Sequence, residues 1–372
     1  MSDGVILYIG GFELPDKNAA AHRVLSNAKI LRQLGKKVVF IGVDQSLDFE
    51  YDILKTRSEV QGFESYAVPY PKKNINWIKY LTNIKNYIEI CNTMRNVEMI
   101  ILYNFQAIAM HRLMNYCKRN SIKCCADITE WRSAKGESLG YRILKDSDTW
   151  YRMHFLNKRM DSLIVISSYL ERYYSKCKNV VNIPVLVDCM EKKWKNTYDK
   201  STDKLRLVYA GNPGRKDRLD KLIEALDGIN RKYCLDIIGI TAEQYLNYYP
   251  NHKALIDNEN ICFHGRLSHL DALDFVKKAN YSCFLREDDR VSKAGFPTKF
   301  VEAISSGTPV LTNKTSNLTD FISEGMNAIL LDSFSKKEMK AIIANIPYTI
   351  DVEKEKFDYR NYVDKMKKFL MQ

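Results

Sequence analysis

The sequence predicts an α/β protein of two doubly wound domains. Three observations carry this. The 372 residues exceed what one ordinary core serves. Strand-sized apolar runs alternate with stretches of helical periodicity. That alternation starts afresh after a polar stretch near residue 190. The domains are expected at 1–186 and 187–372. The last helix, about 355–372, is a candidate to pack back on the N-terminal domain.

The elements follow in order. "VILYIG" (5–10) reads as a strand and "GFELPDKN" (11–18) as a loop of turn formers. From Ala19, apolar residues at Ala21, Val24, Leu25, Ala28, Leu31 and Leu34 recur at helical spacing, and Gly35 supplies a stop. "KVVFIGV" (37–43) is the next strand. Strand, glycine loop, helix, strand is a βαβ unit, which requires a parallel sheet. "EMIILYN" (98–104), "KCCADIT" (123–129) and "DSLIVIS" (161–167) continue it. "YPKKNINWIKYLTNIKNYIEICNTM" (70–94) carries Trp77, Leu81, Ile84, Ile88 and Cys91 at helical spacing among lysines. It reads either as a helix packed on the sheet or as one lying on an anionic membrane surface. "VVNIPVLVD" (180–188) holds a strand-breaking proline, and the charged 189–204 reads as a linker. "LRLVYAG" (205–211), "YCLDIIG" (233–239), "ICFHG" (261–265), "YSCFLR" (281–286) and "TPVLT" (308–312) are the second series of strands, with a helix at 218–229.

Composition narrows the function classes. A chain 45% hydrophobic and 27% charged is globular, and no apolar run approaches the roughly 18 residues of a membrane helix. The N-terminus enters a strand almost at once, so no signal peptide is expected. Nine scattered cysteines without a C-x-x-C read as free thiols in a reducing, cytoplasmic setting. A net charge of +12 suits phosphorylated small molecules or anionic lipid. No zinc-finger, basic-zipper or RNP-like pattern accompanies it, so nucleic acid is not an expected partner.

Two stretches can carry chemistry. In "AGFPTKFVEAISSGTPVL" (294–311), a loop after a strand opens a helix at Pro297, and Gly307 closes it. Strand ends of open parallel sheets are where ligands bind. Lys299 and Glu302 are three apart and share a helix face. A cation and a carboxylate so placed suit a nucleoside diphosphate, phosphate on Lys299 and ribose hydroxyls on Glu302. The same pair also reads as an exposed ion pair of small energetic weight. "AGNPGRKD" (210–217) likewise joins a strand to a helix, with Arg215 and Lys216 at its tip. Alone it reads as a solvated basic turn. Together the two loops can bring cations to one diphosphate.

These blocks resemble GT-B glycosyltransferases, specifically the large retaining family 4. "AGFPTKFVEAISSGTPVL" is similar to that family's nucleotide-sugar motif of two acidic residues eight apart before Gly-x-Pro-Val. "YAGNPGRKDRLDKLIEAL", "LDIIG" and "ICFHGRLSHLDALDFVKKANYSCFL" resemble its preceding blocks in order, and "GGFELPDKNAAAHRVLSNAKILRQLGKKVVFIG" its N-terminal glycine loop. The resemblance implies two Rossmann-like domains facing across a cleft. It implies transfer of a sugar from a nucleotide-diphosphate sugar to a saccharide or lipid-linked saccharide hydroxyl, with retention. Surface polysaccharide or glycolipid synthesis is the implied setting, at the inner face of the plasma membrane, with no metal and no cofactor. It assigns the diphosphate to Arg215, Lys216, Lys299 and Gly11, the ribose to Glu302, and the nucleobase to Gly265, Arg266 and Leu267. Two departures stand out. Ala294 replaces the first acidic residue, which leaves the sugar to backbone groups of Ala294, Gly295 and Phe296. Asn212 replaces the arginine expected just after the first loop glycine, so Arg215 is its candidate substitute.

The N-terminal domain lacks the family's histidine after "ADITEWR" (126–132), and Asp127 or Glu130 is the candidate to serve the acceptor or to cap a loop. The histidines, His269 included, read as structural, and "DSD" (146–148) as a chance match to a metal motif. A GT-B nucleotide-sugar epimerase and a non-catalytic binding subunit remain the alternative functions.

Overall fold

The computed structural model describes residues 4–15, 18–132, 138–200, 202–213, 217–323 and 325–372, the side chains of 74 and 75 excepted. Two compact units emerge. Unit 1 comprises residues 1–187 with 359–372, and unit 2 residues 188–358.

Unit 1 is an eight-stranded sheet: β1 (Val5–Gly10), β2 (Lys37–Asp44), β3 (Ser58–Val60), β4 (Phe63–Pro69), β5 (Val97–Tyr103), β6 (Lys123–Ile128), β7 (Ser162–Val165) and β8 (Val180–Asn182). Its order is β3-β4-β2-β1-β5-β6-β7-β8. Every pairing is parallel except β3 with β4. The apolar runs on β1, β2 and β5 are buried on both faces, as helix-covered parallel strands require. The helix Ala19–Gln33 is capped by the Asn18 side chain on the Ala21 N–H. The segment from 359 ends in the helix Val363–Leu370, whose Met366 and Phe369 join the unit 1 core. Asn179 donates to the Phe369 carbonyl at 2.9 Å.

A buried ionic knot ties this unit together. Arg23 reaches Asp127 through Nε and Nη2 at 2.9 and 2.7 Å, and through Nη1 it donates to the carbonyls of Ile183 and Pro184. Tyr8 also donates to Asp127, and Asn27 to Tyr8. Arg23 and Asp127 are 2% and 0% exposed, so the pair persists only because these bonds satisfy it.

The stretch 70–94 forms two helices, Asn74–Thr82 and Lys85–Thr93, broken at Asn83 and Ile84. A single helix through it is not what forms. The Asn83 side chain accepts the Lys85 N–H, a local turn that competes with helix continuation.

Unit 2 is a six-stranded parallel sheet: β9 (Leu205–Ala210), β10 (Tyr233–Ile238), β11 (Ile261–Gly265), β12 (Tyr281–Cys283), β13 (Val310–Asn313) and β14 (Ala328–Leu331). Its order, β11-β10-β9-β12-β13-β14, reverses direction between β9 and β12. Such a reversal opens a crevice at the carboxyl ends of those two strands.

All nine cysteines are free thiols, five of them buried. Among the described residues no helix is long and apolar enough to cross a membrane, and no three ligating side chains gather as a metal site.

Candidate active site

The described ends of the predicted loops lie at the crevice between β9 and β12 in unit 2. The helix Thr298–Ser305 starts one residue later than the sequence suggests, with Pro297 as its extended cap rather than its first residue. A short helix, Arg290–Ala294, occupies part of the preceding loop, capped by the Asp289 side chain on the Ser292 N–H.

Lys299 and Glu302 do not spend themselves on each other. The Lys299 ammonium donates to the Tyr209 hydroxyl at 2.6 Å and to Asp217, and lies 3.8 Å from the Tyr209 ring centroid. Tyr209 donates to Asp217 at 2.7 Å, and Arg286 Nε reaches its other oxygen at 2.8 Å. Tyr209 lies near the end of β9 and Asp217 in the loop after it, Arg286 follows β12, and Lys299 stands in the first turn of the helix Thr298–Ser305, so four groups from three segments meet at the reversal. One buried carboxylate serves two cations. Burial raises the Asp217 carboxyl, but Lys299 and Arg286 outweigh this and hold it below its ordinary range. Burial, with the nearby Arg286 charge, pulls the Lys299 ammonium down to about 8 against the opposing pull of Asp217. Burial and the adjacent carboxylate push the Tyr209 phenol well up.

Two glycines make room for this. Gly211 has φ +129°, and a Cβ there would come within 2.8 Å of Lys299 Cε. Gly239 has φ +106°, and its Cβ would lie 2.5 Å from the Gly211 carbonyl group. The ends of β9 and β10 thus approach as only glycines permit. Beside them opens a cavity of about 220 Å³ lined by Asn212, Gly239, Ile240, Gln244, Asn247 and Tyr248.

One turn along the helix, Glu302 accepts a hydrogen bond from His269 Nε2 at 3.1 Å. His269 opens the helix His269–Lys278, directly after the Gly265–Leu267 loop. Gly265 has φ +64°, and its carbonyl accepts the Gly239 N–H at 2.6 Å. Arg266 is exposed and Leu267 half-buried. Arg215 and Lys216 lie outside the described residues.

Other predicted site residues meet different surroundings. Ala294 is 0% exposed, Gly295 donates its N–H to the Val291 carbonyl, and the Phe296 ring packs on Phe300, Phe321 and Phe357. The Gly295 amide is therefore spent inside the protein rather than open to sugar hydroxyls. In unit 1, Asp127 is sealed in the knot with Arg23, which corrects the expectation that it faces an acceptor. Glu130 remains accessible, bonded to Arg132 and 3.3 Å from the Asn104 side-chain nitrogen. Gly11 is exposed at the end of β1. In "DSD", Asp148 accepts the Ala107 N–H and so caps a helix, which explains that carboxylate without a metal.

Three participants escape the sequence reading: Tyr209, Asp217 and Arg286. His269 is a fourth neighbour of the cluster, through its hydrogen bond to Glu302. The available signal was position, as Tyr209 lies near the end of one strand and Arg286 a few residues beyond another.

Residues 190–349 match the model of the family described as glycosyl transferases group 1. No curated protein sequence gives a significant match. Among solved structures, the sucrose-phosphate synthase of Thermosynechococcus elongatus superposes with a TM-score of 0.71 at 14% identity, covering 99% of this chain and 98% of that one. The catalytic domain of starch synthase IV from Arabidopsis thaliana, bound to ADP and acarbose, gives 0.68 at 8% identity over 100% and 99%. HepE of Anabaena, in complex with UDP and glucose, gives 0.66 at 12% identity over 99% of each chain. Residues 190–349 therefore resemble a glycosyl transferases group 1 domain, and the chain as a whole has the GT-B fold of these structures.

Proposed function

We propose that the protein moves a sugar from a nucleoside diphosphate sugar to a hydroxyl of a saccharide or lipid-linked saccharide, with retention. One observation carries this: Lys299, Arg286 and Tyr209 converge at the unit 2 strand reversal, one helical turn from Glu302. The spacing suits a pyrophosphate on the cations and ribose hydroxyls on the carboxylate. The Gly265–Leu267 loop follows the next strand but one and is the candidate base contact. Arg215 and Lys216 are proposed as further phosphate cations. The UDP and ADP held by HepE and starch synthase IV support a donor of this class.

In the reaction, the bond from the sugar's anomeric carbon to the diphosphate oxygen breaks and its electrons stay on that oxygen. The acceptor oxygen bonds to the same carbon and its proton passes to a base, for which Glu130 is the candidate. The work of unit 2 is to stabilise charge gathering on the departing phosphate, which cations in a poorly solvated site do well.

An anionic membrane surface is the proposed source of the acceptor. Three neighbouring helices of unit 1, Asn74–Thr82, Ala107–Arg119 and Leu139–Tyr151, expose Ile78, Ile108, Leu139, Tyr141, Ile143 and Leu144. Exposed Lys79, Arg112 and Arg142 lie on the same helices, whose acidic groups Asp146 and Asp148 are engaged by Arg142 and Ala107. Exposed apolar side chains with cations on the same helices suit anionic headgroups over neutral ones. Sedimentation with phosphatidylglycerol vesicles, but not phosphatidylcholine, is expected, and is lost in Ile143→Ser/Leu144→Ser. Equal sedimentation with both lipids rejects this part.

The main reading is tested by offering the purified protein a panel of nucleotide sugars with and without saccharide acceptors. Acceptor-dependent release of nucleoside diphosphate, lost in Lys299→Met and Glu302→Ala, is expected. Conversion of the donor to an epimer without acceptor would identify an epimerase. Donor binding with no turnover would identify a binding subunit.

A further inference from the structure

Asp217 poses a problem for a phosphate site. It is a carboxylate 3% exposed, at the centre of the cations that would hold an anion. It accepts hydrogen bonds from the Tyr209 hydroxyl, the Lys299 ammonium and the Arg286 Nε–H. We propose that Asp217 is a built-in counter-ion of the donor site, an internal carboxylate that holds Lys299 and Arg286 together until the donor's diphosphate takes them over. The inference rests on the reading of unit 2 as the donor-binding unit, and adds Arg286 to its phosphate ligands.

The geometry supports this in three ways. The cluster sits at the β9/β12 reversal, where a parallel sheet leaves its ligand crevice. Its two sides are strapped together. The Arg218 N–H donates to the Leu285 carbonyl at 2.7 Å, and Asp217 pairs with Arg286 as an isolated bridge. Asn313, at the end of β13, accepts the Arg286 N–H at 2.9 Å and donates to its carbonyl at 2.8 Å. A surface ion pair has no need of such fixing; a guanidinium that must meet phosphate does. Finally, Asn212 stands where an arginine is expected, and Arg286 brings a guanidinium to the same crevice from the opposite strand. It spends Nε on Asp217, and a guanidinium has more N–H donors than that bond uses.

The arrangement has a functional consequence. Two largely buried cations without an anion would repel each other and lose hydration, and Asp217 offsets part of both costs in the empty site. It also repels the arriving diphosphate. Donor and product are therefore held less tightly than the cations alone would hold them, which favours release of the nucleoside diphosphate.

The test uses the full chain, wild type and variants, with inorganic pyrophosphate and UDP as probes in calorimetric titration and thermal melting. Asp217→Asn is expected to bind pyrophosphate at least tenfold more tightly than wild type. It should melt lower in anion-free buffer and regain the difference when pyrophosphate is added. Arg286→Gln should weaken pyrophosphate binding at least tenfold and cancel the gain in the double variant. Asp217→Asn binding pyrophosphate no better than wild type would overturn the proposal and leave Asp217 a scaffold. Should Asp217→Asn fail to fold, the Arg286 Nε–H resonance of ¹⁵N-labelled wild type decides. It must shift on pyrophosphate addition, and an unmoved resonance refutes the exchange. A chain that shows these pyrophosphate effects yet binds no nucleotide keeps the counter-ion and loses the donor reading. Nucleotide binding indifferent to Asp217 does the reverse.

Discussion

Alkaline pH should silence the donor site before it unfolds the protein, and Lys299 is the group that decides this. Its ammonium is buried between Tyr209 and Asp217 and titrates at about 8. With that value, about nine-tenths of the chains carry the charge at pH 7 and about one-tenth at pH 9. The expected fall in kcat/KM is therefore about tenfold per unit above pH 8, because kcat/KM reports groups of the free enzyme. Stability moves the other way. The folded value is depressed from 10.5, so between pH 8 and 10.5 the unfolded chain binds a proton that the folded chain has shed. The cost of burying the ammonium is present in full below pH 8 and is relieved across that window. It amounts to about 3 kcal/mol at 1.36 kcal/mol per pH unit. The assay is release of nucleoside diphosphate between pH 6.5 and 10, with melting curves at each pH. Lys299→Arg should move the fall to higher pH at lower overall activity, since a guanidinium stays charged but has a different shape. A wild-type profile flat to pH 10, or a Lys299→Met variant with the same descending limb, would refute the reasoning.

Other expectations follow from single features. Arg23→Met leaves the Asp127 carboxylate buried without its cation, which should cost about 3–5 kcal/mol; in a unit of about 200 residues this is a fall in melting temperature of roughly 6–20 °C. Replacing both partners, as in Arg23→Met/Asp127→Leu, should recover most of it, and additive losses would contradict the pairing. Glu302→Ala should raise the donor KM roughly thirtyfold or more, the worth of hydrogen bonds to a charged group. His269→Gln, which only orients that carboxylate, should cost about three- to tenfold, and an equal loss in the two would remove the distinction. Gly239→Ala would drive a methyl group into the Gly211 backbone; its melting temperature should fall well beyond that of Gly35→Ala, whose added methyl meets nothing within 4 Å.

How much of this was legible depends on the range of the contacts involved. β1, β2 and β5 announce themselves as unbroken apolar runs, and the helix Ala19–Gln33 by its stripe and its glycine stop. β4 does not, because Glu64 and Ser65 interrupt its apolar run. Lys299 and Glu302 were found because helix periodicity puts them on one face. Their partners could not be found that way. Asp217 and Arg286 are 69 residues apart, and only the pairing of β9 with β12 brings them together. Asp127 misled for the same reason. A carboxylate at a strand end suggests function, but its cation is 104 residues away in sequence. Asn83 broke the expected 70–94 helix through a hydrogen bond to Lys85 that apolar spacing does not encode.

The most direct measurement is a crystal structure of the protein with UDP or ADP bound, whichever raises the melting temperature more. The account predicts the diphosphate within about 3 Å of Lys299 and Arg286, with both ribose hydroxyls on Glu302. A nucleotide bound elsewhere, with Lys299 still closed on Asp217, would contradict it.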